Sequence, residues 1–157
     1  MTSLVDISSD GTLIFTSTQK NPYERQVYRM APGGAAPEAL TTLAGTHAPA
    51  PSPDGRHLAT IWTDDVTPPE LMVTTRGETA ERRVTTSPLP EFSRHAWVRA
   101  RYATFKNAVD GFVVHARILE PPALDPTRRN PVIFGPVYSN TVRNRWSGLA
   151  GTLQQYL

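Results

Sequence analysis

Three side-chain types that can form a hydrolytic triad occur in the second half of the sequence. Ser139, His115 and Asp125 supply a hydroxyl, an imidazole and a carboxylate, which together can activate a serine nucleophile. Such a serine needs a sharp turn that exposes its hydroxyl, and the Gly-x-Ser-x-Gly pattern of that turn is absent from the 157 residues. The nearest stretch, residues 145–148, lacks the first glycine. The sequence therefore does not predict a triad within this chain.

The histidines and cysteines, which could bind a metal or take part in catalysis, do not predict a functional site either. The histidines show no metal-binding spacing such as His-x-x-x-His, and we predict structural or solvent-facing roles for them, with His47 and His95 in loops, His57 after a turn and His115 within a strand. The chain contains no cysteine, which excludes disulfides, zinc-thiolate sites and cysteine nucleophiles and leaves the redox compartment open. No sequence motif predicts a metal or cofactor site.

The charge of the chain argues against a role in nucleic-acid binding. Sixteen basic and 14 acidic residues give a net charge of +2, and the basic residues are scattered along the sequence. Binding to a polyanion needs a clustered basic face instead.

No apolar run approaches the ~20 residues of a membrane span. The first residues also lack the basic and apolar regions of a signal peptide, and the compartment is left open.

The elements that must position any site begin with an internal repeat. The turn Asp10-Gly11 recurs as Asp54-Gly55, and residues 39–42 recur in pattern at 83–86, in both cases 44 residues later (54 − 10 and 83 − 39). A period of roughly 40–50 residues built from short strands is typical of β-propeller blades. Residues 1–95 are therefore predicted to form about two C-terminal blades of a β-propeller.

The pattern changes after the repeat. Residues 101–106 and 112–119 have the alternation of two strands, and Asp110-Gly111 marks a turn between them, which predicts an antiparallel hairpin. Residues 131–134 are wholly apolar, as expected of a strand buried on both faces. From Trp146 the apolar residues take helical spacing. These features predict the first strands and a helix of an α/β domain.

Both halves of this organisation are incomplete by themselves. Two blades do not close a propeller, which typically has about 4–8 blades. A buried strand followed by a helix is only half of a β-α-β unit, because the second parallel strand is missing. We therefore expect the sequence to be a segment of a longer protein, with the missing propeller and α/β segments as its partners.

Five motifs follow one another in a fixed order: residues 52–56, 97–106, 110–117, 131–134 and 141–146. Their order resembles the dipeptidyl peptidase IV branch of the prolyl oligopeptidase clan, at the junction of its two domains. The resemblance implies a mainly β fold. Residues 1–95 would be the last blades of the propeller, and residues 96–157 would be the truncated start of an α/β-hydrolase (peptidase) domain.

The resemblance also implies a function for the parent enzyme, meaning the complete protein to which such a segment belongs. That enzyme would be a serine exopeptidase that removes N-terminal dipeptides from a peptide substrate, and the resemblance allows it to be a homodimer. Because the catalytic serine, aspartate and histidine are absent, we expect this chain alone to be inactive. The paired amine-binding glutamates of the family have no counterpart. Glu24 and Glu70 stand singly, and we predict solvated loop positions for both.

One functional residue of the family carries over to Tyr138. The family places a tyrosine just after the first buried hydrolase strand, where its hydroxyl helps to form the oxyanion hole, and a donor there stabilises the charge of the transition state. Gly-Gly-Pro follows that tyrosine in the family, whereas here Gly135-Pro136 precedes Tyr138. Tyr138 is the candidate oxyanion-hole donor of the parent enzyme. An aromatic side chain that only packs the turn is the alternative.

A different class of protein also fits part of the pattern. A propeller-type binding or interaction module could carry residues 96–157 as a C-terminal cap. The apolar strand at residues 131–134 followed by a helix favours the peptidase, because a cap has no need of a buried strand. The sequence leaves the peptide preference and the oligomeric state open.

Overall fold

The computed structural model describes residues 2–78, 80–125, 127–134 and 142–146. Within these residues the regular structure is almost entirely β, as the sequence predicts. The ten strands are β1 Thr2–Ile7, β2 Leu13–Ser17, β3 Gln26–Met30, β4 Glu38–Ala39, β5 Thr46–Pro51, β6 His57–Thr63, β7 Glu70–Thr75, β8 Arg82–Arg83, β9 Arg101–Lys106 and β10 Val113–Ile118. A short 3-10 helix spans Pro90–Arg94. In the part of the chain so described, no helix is long and apolar enough to cross a membrane.

The first eight strands form two antiparallel sheets of the same design. Their strand orders are β1-β2-β3-β4 and β5-β6-β7-β8, and we call the two sheets blade 1 and blade 2. Each strand of blade 2 begins 44 residues after its counterpart in blade 1, since the starts are 2 and 46, 13 and 57, 26 and 70, and 38 and 82. The prediction of about two blades is confirmed.

The sequence pattern missed the first strand of each blade, β1 and β5. The pattern starts each blade at its Asp-Gly turn, which lies between the first strand and the second. Strand β5 carries Pro49 and Pro51, and prolines within a run normally argue against a strand. Because β5 lies at the edge of its sheet, it can hold prolines there, since an N–H that points away from the sheet is not needed by the ladder.

In each blade, a threonine that follows the fourth strand extends the ladder, because its hydroxyl accepts a backbone hydrogen bond from the third strand. In blade 1, Thr41 Oγ1 accepts the backbone N–H of Val27 at 2.9 Å and donates to Gln26 Oε1 at 2.7 Å. In blade 2, Thr85 Oγ1 accepts the backbone N–H of Leu71 at 2.8 Å. The repeated Leu-Thr-Thr and Val-Thr-Thr sequences thus supply a hydrogen-bond partner for a backbone donor that would otherwise be buried without one.

The prediction that Glu70 occupies a solvated loop is wrong. Glu70 begins β7 and is 1% exposed. Its carboxylate accepts hydrogen bonds from the Thr85 hydroxyl, from Arg83 Nη2 at 2.5 Å and from the backbone N–H of Ser87 at 2.8 Å. Burial raises the pKa of the Glu70 carboxyl, but these hydrogen bonds outweigh burial and hold the pKa below its usual value. The equivalent residue of blade 1 is the neutral Gln26, so the repeat gives no sign of a buried acid.

The two blades pack on each other through a small core and a short backbone contact. Ile14, Val27 and Leu58 form the buried cluster between them. At one end, Arg25 forms a parallel bridge with Thr46. His47, which the sequence places in a loop, lies in β5 and is 1% exposed.

The predicted hairpin after the blades is confirmed. Strands β9 and β10 pair antiparallel, from Arg101 opposite Ile118 to Lys106 opposite Val113. The turn is closed by a hydrogen bond from the backbone N–H of Gly111 to the Asn107 carbonyl at 2.9 Å. The hairpin is a two-stranded sheet, separate from both blades.

The predicted strand at residues 131–134 is wrong for this structure. These residues form no strand, and Val132, Ile133 and Phe134 are 74%, 90% and 90% exposed. A strand needs a neighbour to satisfy its backbone N–H and C=O groups, and none of the described strands pairs with this segment. Tyr138 and the helix predicted after Trp146 lie outside the described residues. The boundary between residues 95 and 96 and the start of a hydrolase domain remain predictions.

Candidate functional site

The hairpin is attached to blade 2 through the side chain of Asp65, in the loop after β6. Tyr102 on β9 and Arg117 on β10 are directly opposite each other, so both side chains leave the hairpin from the same face. The Tyr102 hydroxyl donates to Asp65 Oδ2 at 2.7 Å, and Arg117 Nε donates to Asp65 Oδ1 at 3.0 Å. Because Asp65 is 1% exposed, this carboxylate is held by the hairpin rather than by water.

The electrostatics of this contact keep Tyr102 a hydrogen-bond donor. Burial raises the pKa of the Tyr102 phenol well above its usual value, and the hydrogen bond to Asp65 and the charge of Asp65 raise it further. The phenol therefore stays protonated at neutral pH and cannot serve as a base there. Arg117 supplies the positive charge that the buried carboxylate needs.

The neighbouring residue, Asp64, fixes the shape of the loop. Its Oδ1 accepts the backbone N–H groups of Val66 at 3.0 Å and Thr67 at 2.7 Å. Its Oδ2 accepts a hydrogen bond from Arg99 Nη1 at 2.8 Å, just before β9. Asp64 thus closes the turn that presents Asp65 and also binds the chain that enters the hairpin.

Asn144 docks the segment 142–146 onto both blades. Its backbone N–H donates to the Tyr23 carbonyl at 2.7 Å, and its own carbonyl accepts from Thr46 Oγ1 at 3.0 Å. Its side-chain Oδ1 accepts the backbone N–H of Asp65 at 2.9 Å. With 7% of its surface exposed, Asn144 links blade 1, blade 2 and the loop that holds the hairpin.

Aromatic contacts complete the attachment. The Tyr23 ring stacks on Tyr102 with centroids 4.5 Å apart, and the Tyr23 hydroxyl lies 3.0 Å from His115 Nδ1. The ring of Trp97 lies 5.3 Å from that of Trp146. The polar and aromatic residues that join the blades to the hairpin are called the junction cluster; they are Tyr23, Asp64, Asp65, Tyr102, Arg117 and Asn144.

The structure does not join the residues that the sequence offered for a triad. His115 lies on β10 and contacts Tyr23, whereas Asp125 Oδ1 accepts the backbone N–H of Thr127 at 2.9 Å. Ser139, like Tyr138, is outside the described residues. Glu24 is half-buried and accepts a hydrogen bond from Asn21 Nδ2 at 3.0 Å, so it too is not a freely solvated loop residue.

Sequence reasoning missed most of the junction cluster, and the reason is distance along the chain. The hairpin prediction could have placed Tyr102 opposite Arg117, since the turn at Asp110-Gly111 fixes the register. Their shared partner Asp65 lies 37 residues from Tyr102 and 52 from Arg117. No periodic pattern reaches over such separations. The only local signal was a pair of adjacent acids, Asp64 and Asp65, in a loop.

The junction cluster is suited to positioning and not to chemistry at a substrate. Its carboxylates are occupied by hydrogen-bond donors of the chain itself, and the Tyr102 phenol stays protonated. In the part of the chain that the structure describes, no three metal-ligating side chains are grouped to hold a metal ion. The cluster therefore fixes the hairpin and the segment 142–146 relative to the blades.

Comparison with known proteins agrees with the sequence resemblance. Residues 2–69 match the model of the dipeptidyl peptidase IV (DPP IV) N-terminal region, which confirms the resemblance over the part that forms blade 1 and the first two strands of blade 2. No curated protein matches the sequence.

The fold is also similar to that of a solved structure, the crystal structure of Porphyromonas gingivalis dipeptidyl peptidase 4. The TM-score is 0.74 at 22% identity, and the match covers 92% of this chain. At that identity the likeness concerns the fold. The chain spans 21% of the length of the Porphyromonas protein.

Proposed function

We propose that this chain is the junction between the β-propeller and the α/β-hydrolase domain of a serine exopeptidase that releases N-terminal dipeptides. The observation that carries the proposal is the junction cluster. It binds the hairpin to blade 2 at the point where the sequence resemblance places the change of domain. The match of residues 2–69 to a dipeptidyl peptidase IV family model and the likeness in fold support the same assignment.

In this proposal Tyr138 donates a hydrogen bond to the oxyanion in the parent enzyme. Tyr138 stands eight residues after Asn130 and six before Asn144, the residue that docks the following segment on both blades. Hydrogen bonds to both blades thus fix the chain at a point six residues after Tyr138. Such fixing matters because an oxyanion-hole donor acts only when it is already in place.

The role of Tyr138 is tested in the complete enzyme with the substitution Tyr138→Phe. We expect kcat to fall by about 10²–10³-fold, which is the usual effect of removing one oxyanion-hole donor, while KM changes little. Tyr28→Phe is the matched control, because it removes the hydroxyl of a buried tyrosine of β3 that lies outside the junction cluster. Equal kcat values for Tyr138→Phe and the wild type would contradict the assignment.

The isolated 157-residue chain is expected not to hydrolyse Gly-Pro or Ala-Pro chromogenic amides, because it contains no Gly-x-Ser-x-Gly sequence. Turnover is compared with that of a mock-purified preparation. Activity above that background, and abolished by a serine-directed inhibitor, would show that the chain carries its own nucleophile and would overturn this part of the proposal.

A binding module is the second candidate, and a cleft between the blades favours it. The cleft has a volume of about 480 Å³ and is bordered by both Asp-Gly turns and by the ion pair of Arg29 and Glu38. The surrounding reading frame separates the two candidates. A Gly-x-Ser-x-Gly sequence downstream supports the peptidase, whereas a stop codon after a complete propeller supports the binding module.

A further inference from the structure

Each blade has two faces, and the contact between the blades uses only one face of each. We call the side that carries the first residue of the third strand, Gln26 or Glu70, the front face, and the opposite side the back face. Val27 follows Gln26 and therefore lies on the back of blade 1. Leu58 is opposite Thr74, four residues after Glu70, and lies on the front of blade 2. Since Val27 and Leu58 share one buried cluster, the front of blade 2 covers the back of blade 1.

The front face of blade 1 points away from this contact and is apolar. Leu4 of β1 is opposite Phe15 of β2, and Leu13 of β2 is opposite Met30 of β3. Together with Thr2, these four side chains surround a hollow of about 210 Å³ whose lining carries no charge. Leu4 is 58% exposed, and the other three apolar residues are half-buried. Blade 1 therefore presents large apolar side chains on its front.

The back face of blade 2 is also apolar, and many of its side chains are small. Two rows of apolar residues cross β5, β6 and β7 on this face: Ala48, Ile61, Leu71 and Ala50, Ala59, Val73. Ile61 is 45% exposed, and Val84, whose backbone N–H donates to the Leu71 carbonyl, is 46% exposed. Because three of the six residues in these rows are alanines, larger side chains can pack close to the strands of this face.

We propose that the back face of blade 2 in one chain binds the front face of blade 1 in a second copy of the same chain. This contact continues the stacking that already joins the two blades, in which a front face covers a back face. Leu4, Phe15 and Met30 of one copy pack on the alanine rows of the other. Contiguous exposed apolar surface of this kind marks an interaction site, and removing it from water favours association.

The proposed contact is head-to-tail, because it uses a different face on each of the two copies. Contacts of this kind repeat from copy to copy and form a ring when the rotation between copies closes. Stacked blades typically close at about 4–8 per ring, and each copy supplies a pair of them, so we expect a ring of about two to four copies. The proposal uses the blades alone and does not depend on the assignment to a peptidase.

Size-exclusion chromatography with light scattering of the 157-residue chain, from micromolar to millimolar concentration, tests the proposal. At the upper end of this range we expect a molar mass of about two to four times that of one chain. A molar mass of one chain at every concentration would overturn the proposal, because the two faces would then not bind each other. Particles without a defined mass would overturn it as well, since they indicate unspecific aggregation.

One lysine on each face is expected to abolish the assembly. Leu4→Lys places a charge on the front face and Ile61→Lys places one on the back face. Both positions are partly exposed in the single chain, so the lysine can reach water there, whereas the proposed contact would bury it without a partner. We expect each variant alone to have the mass of one chain. Val109→Lys is the control, because Val109 is 92% exposed in the turn of the hairpin, and this variant should assemble like the wild type.

An equimolar mixture of L4K and I61K distinguishes a head-to-tail contact from a contact between like faces. L4K keeps its back face and I61K keeps its front face, so the mixture can form one contact and should have a mass of about two chains. A contact between like faces would let one of the variants associate alone, and that result, or a mixture of single chains, would overturn the proposal. If circular dichroism shows that a variant does not fold, Ile7→Lys replaces it on the front face and Val84→Lys on the back face, where these residues are 56% and 46% exposed.

Discussion

The blades and the hairpin are held in place by different kinds of contact. Within each blade, strands that follow one another along the sequence pair through backbone hydrogen bonds, and even the side-chain partner Thr41 lies only 14 residues from Val27. The hairpin is held to blade 2 by Asp65, whose partners lie 37 and 52 residues away. Asn144, which docks the last described segment, lies 79 residues from Asp65.

This difference shows two ways of fixing position in one chain. A ladder distributes its energy over many backbone hydrogen bonds, each worth roughly 0.5–1.5 kcal/mol, so a side chain that makes no hydrogen bond to the backbone matters little to it. The attachment of the hairpin depends on a few buried polar side chains instead. The geometry between the blades and the hairpin is therefore expected to depend most on Asp65, the one residue that both strands of the hairpin share.

Asp65→Ala is expected to have the largest effect, because it removes the carboxylate that both strands of the hairpin share. Tyr102 and Arg117 would lose their partner, and breaking a buried ion pair on one side typically costs about 3–5 kcal/mol. Because Arg117 keeps 17% of its side chain exposed, we expect a loss near ~3 kcal/mol. Urea denaturation measures the loss, and hydrogen exchange is expected to increase most in residues 101–118.

Asp6→Ala serves as the control for this prediction. Asp6 is an exposed residue of β1, and a surface substitution of this kind usually changes stability by less than about 0.5 kcal/mol. A similar loss of stability in both variants would mean that Asp65 is not the point of attachment of the hairpin.

The blades could be predicted from the sequence because the motifs that mark them are local and repeated. Two features recur at one period: the turns Asp10-Gly11 and Asp54-Gly55, and the sequences Leu-Thr-Thr and Val-Thr-Thr. The same period relates the start of every strand of blade 2 to its counterpart in blade 1. The hairpin was equally predictable, since two alternating runs flank one turn. The first strands, β1 and β5, were missed because the pattern starts each blade at its Asp-Gly turn. The prolines of β5 also disguise that strand, although a strand at a sheet edge can hold them.

The junction cluster could not be predicted in the same way. A buried carboxylate can be identified only from the groups that donate hydrogen bonds to it. The donors to Asp65 and Glu70 come from other strands or loops. Glu70 shows this within the repeat itself, since its neutral counterpart Gln26 makes the same contact with a threonine and needs no arginine. The expected strand at residues 131–134 failed for a related reason: its apolar residues identify a buried segment only when the neighbouring strands are known.

The two ladder threonines test whether the blades respond alike. Thr41→Val and Thr85→Val each leave a backbone N–H without its hydrogen-bond partner, at a cost of about 1–3 kcal/mol. We expect about 2 kcal/mol for Thr85→Val and somewhat less for Thr41→Val, because only Thr85 also donates to a buried carboxylate. Chemical denaturation of both variants measures the difference.

The adjacent threonines supply matched controls for this pair. Thr42 and Thr86 are exposed, so their substitution by valine is expected to change stability by less than about 0.5 kcal/mol. If Thr41→Val proves as mild as Thr42→Val, the hydroxyl does not extend the ladder, and the likeness between the blades stops at their backbones.

Tyr102→Phe is expected to have the smallest effect, and it separates the hydroxyl from the ring. The ring can still stack on Tyr23, and Asp65 keeps its hydrogen bond from Arg117. Only one hydrogen bond is therefore lost, and we expect a cost of about 1.5 kcal/mol, the low end for a hydrogen bond to a charged group. The same variant has a distinct effect at high pH. Because the pKa of Tyr102 is raised in the folded chain, its contribution to stability is complete below about pH 10, the usual pKa of tyrosine, and declines as pH rises further. Tyr102→Phe should therefore remove a late step from the alkaline absorbance titration of the folded chain. A titration in which wild type and variant differ by a tyrosine of ordinary pKa would show that Tyr102 does not donate to the buried Asp65.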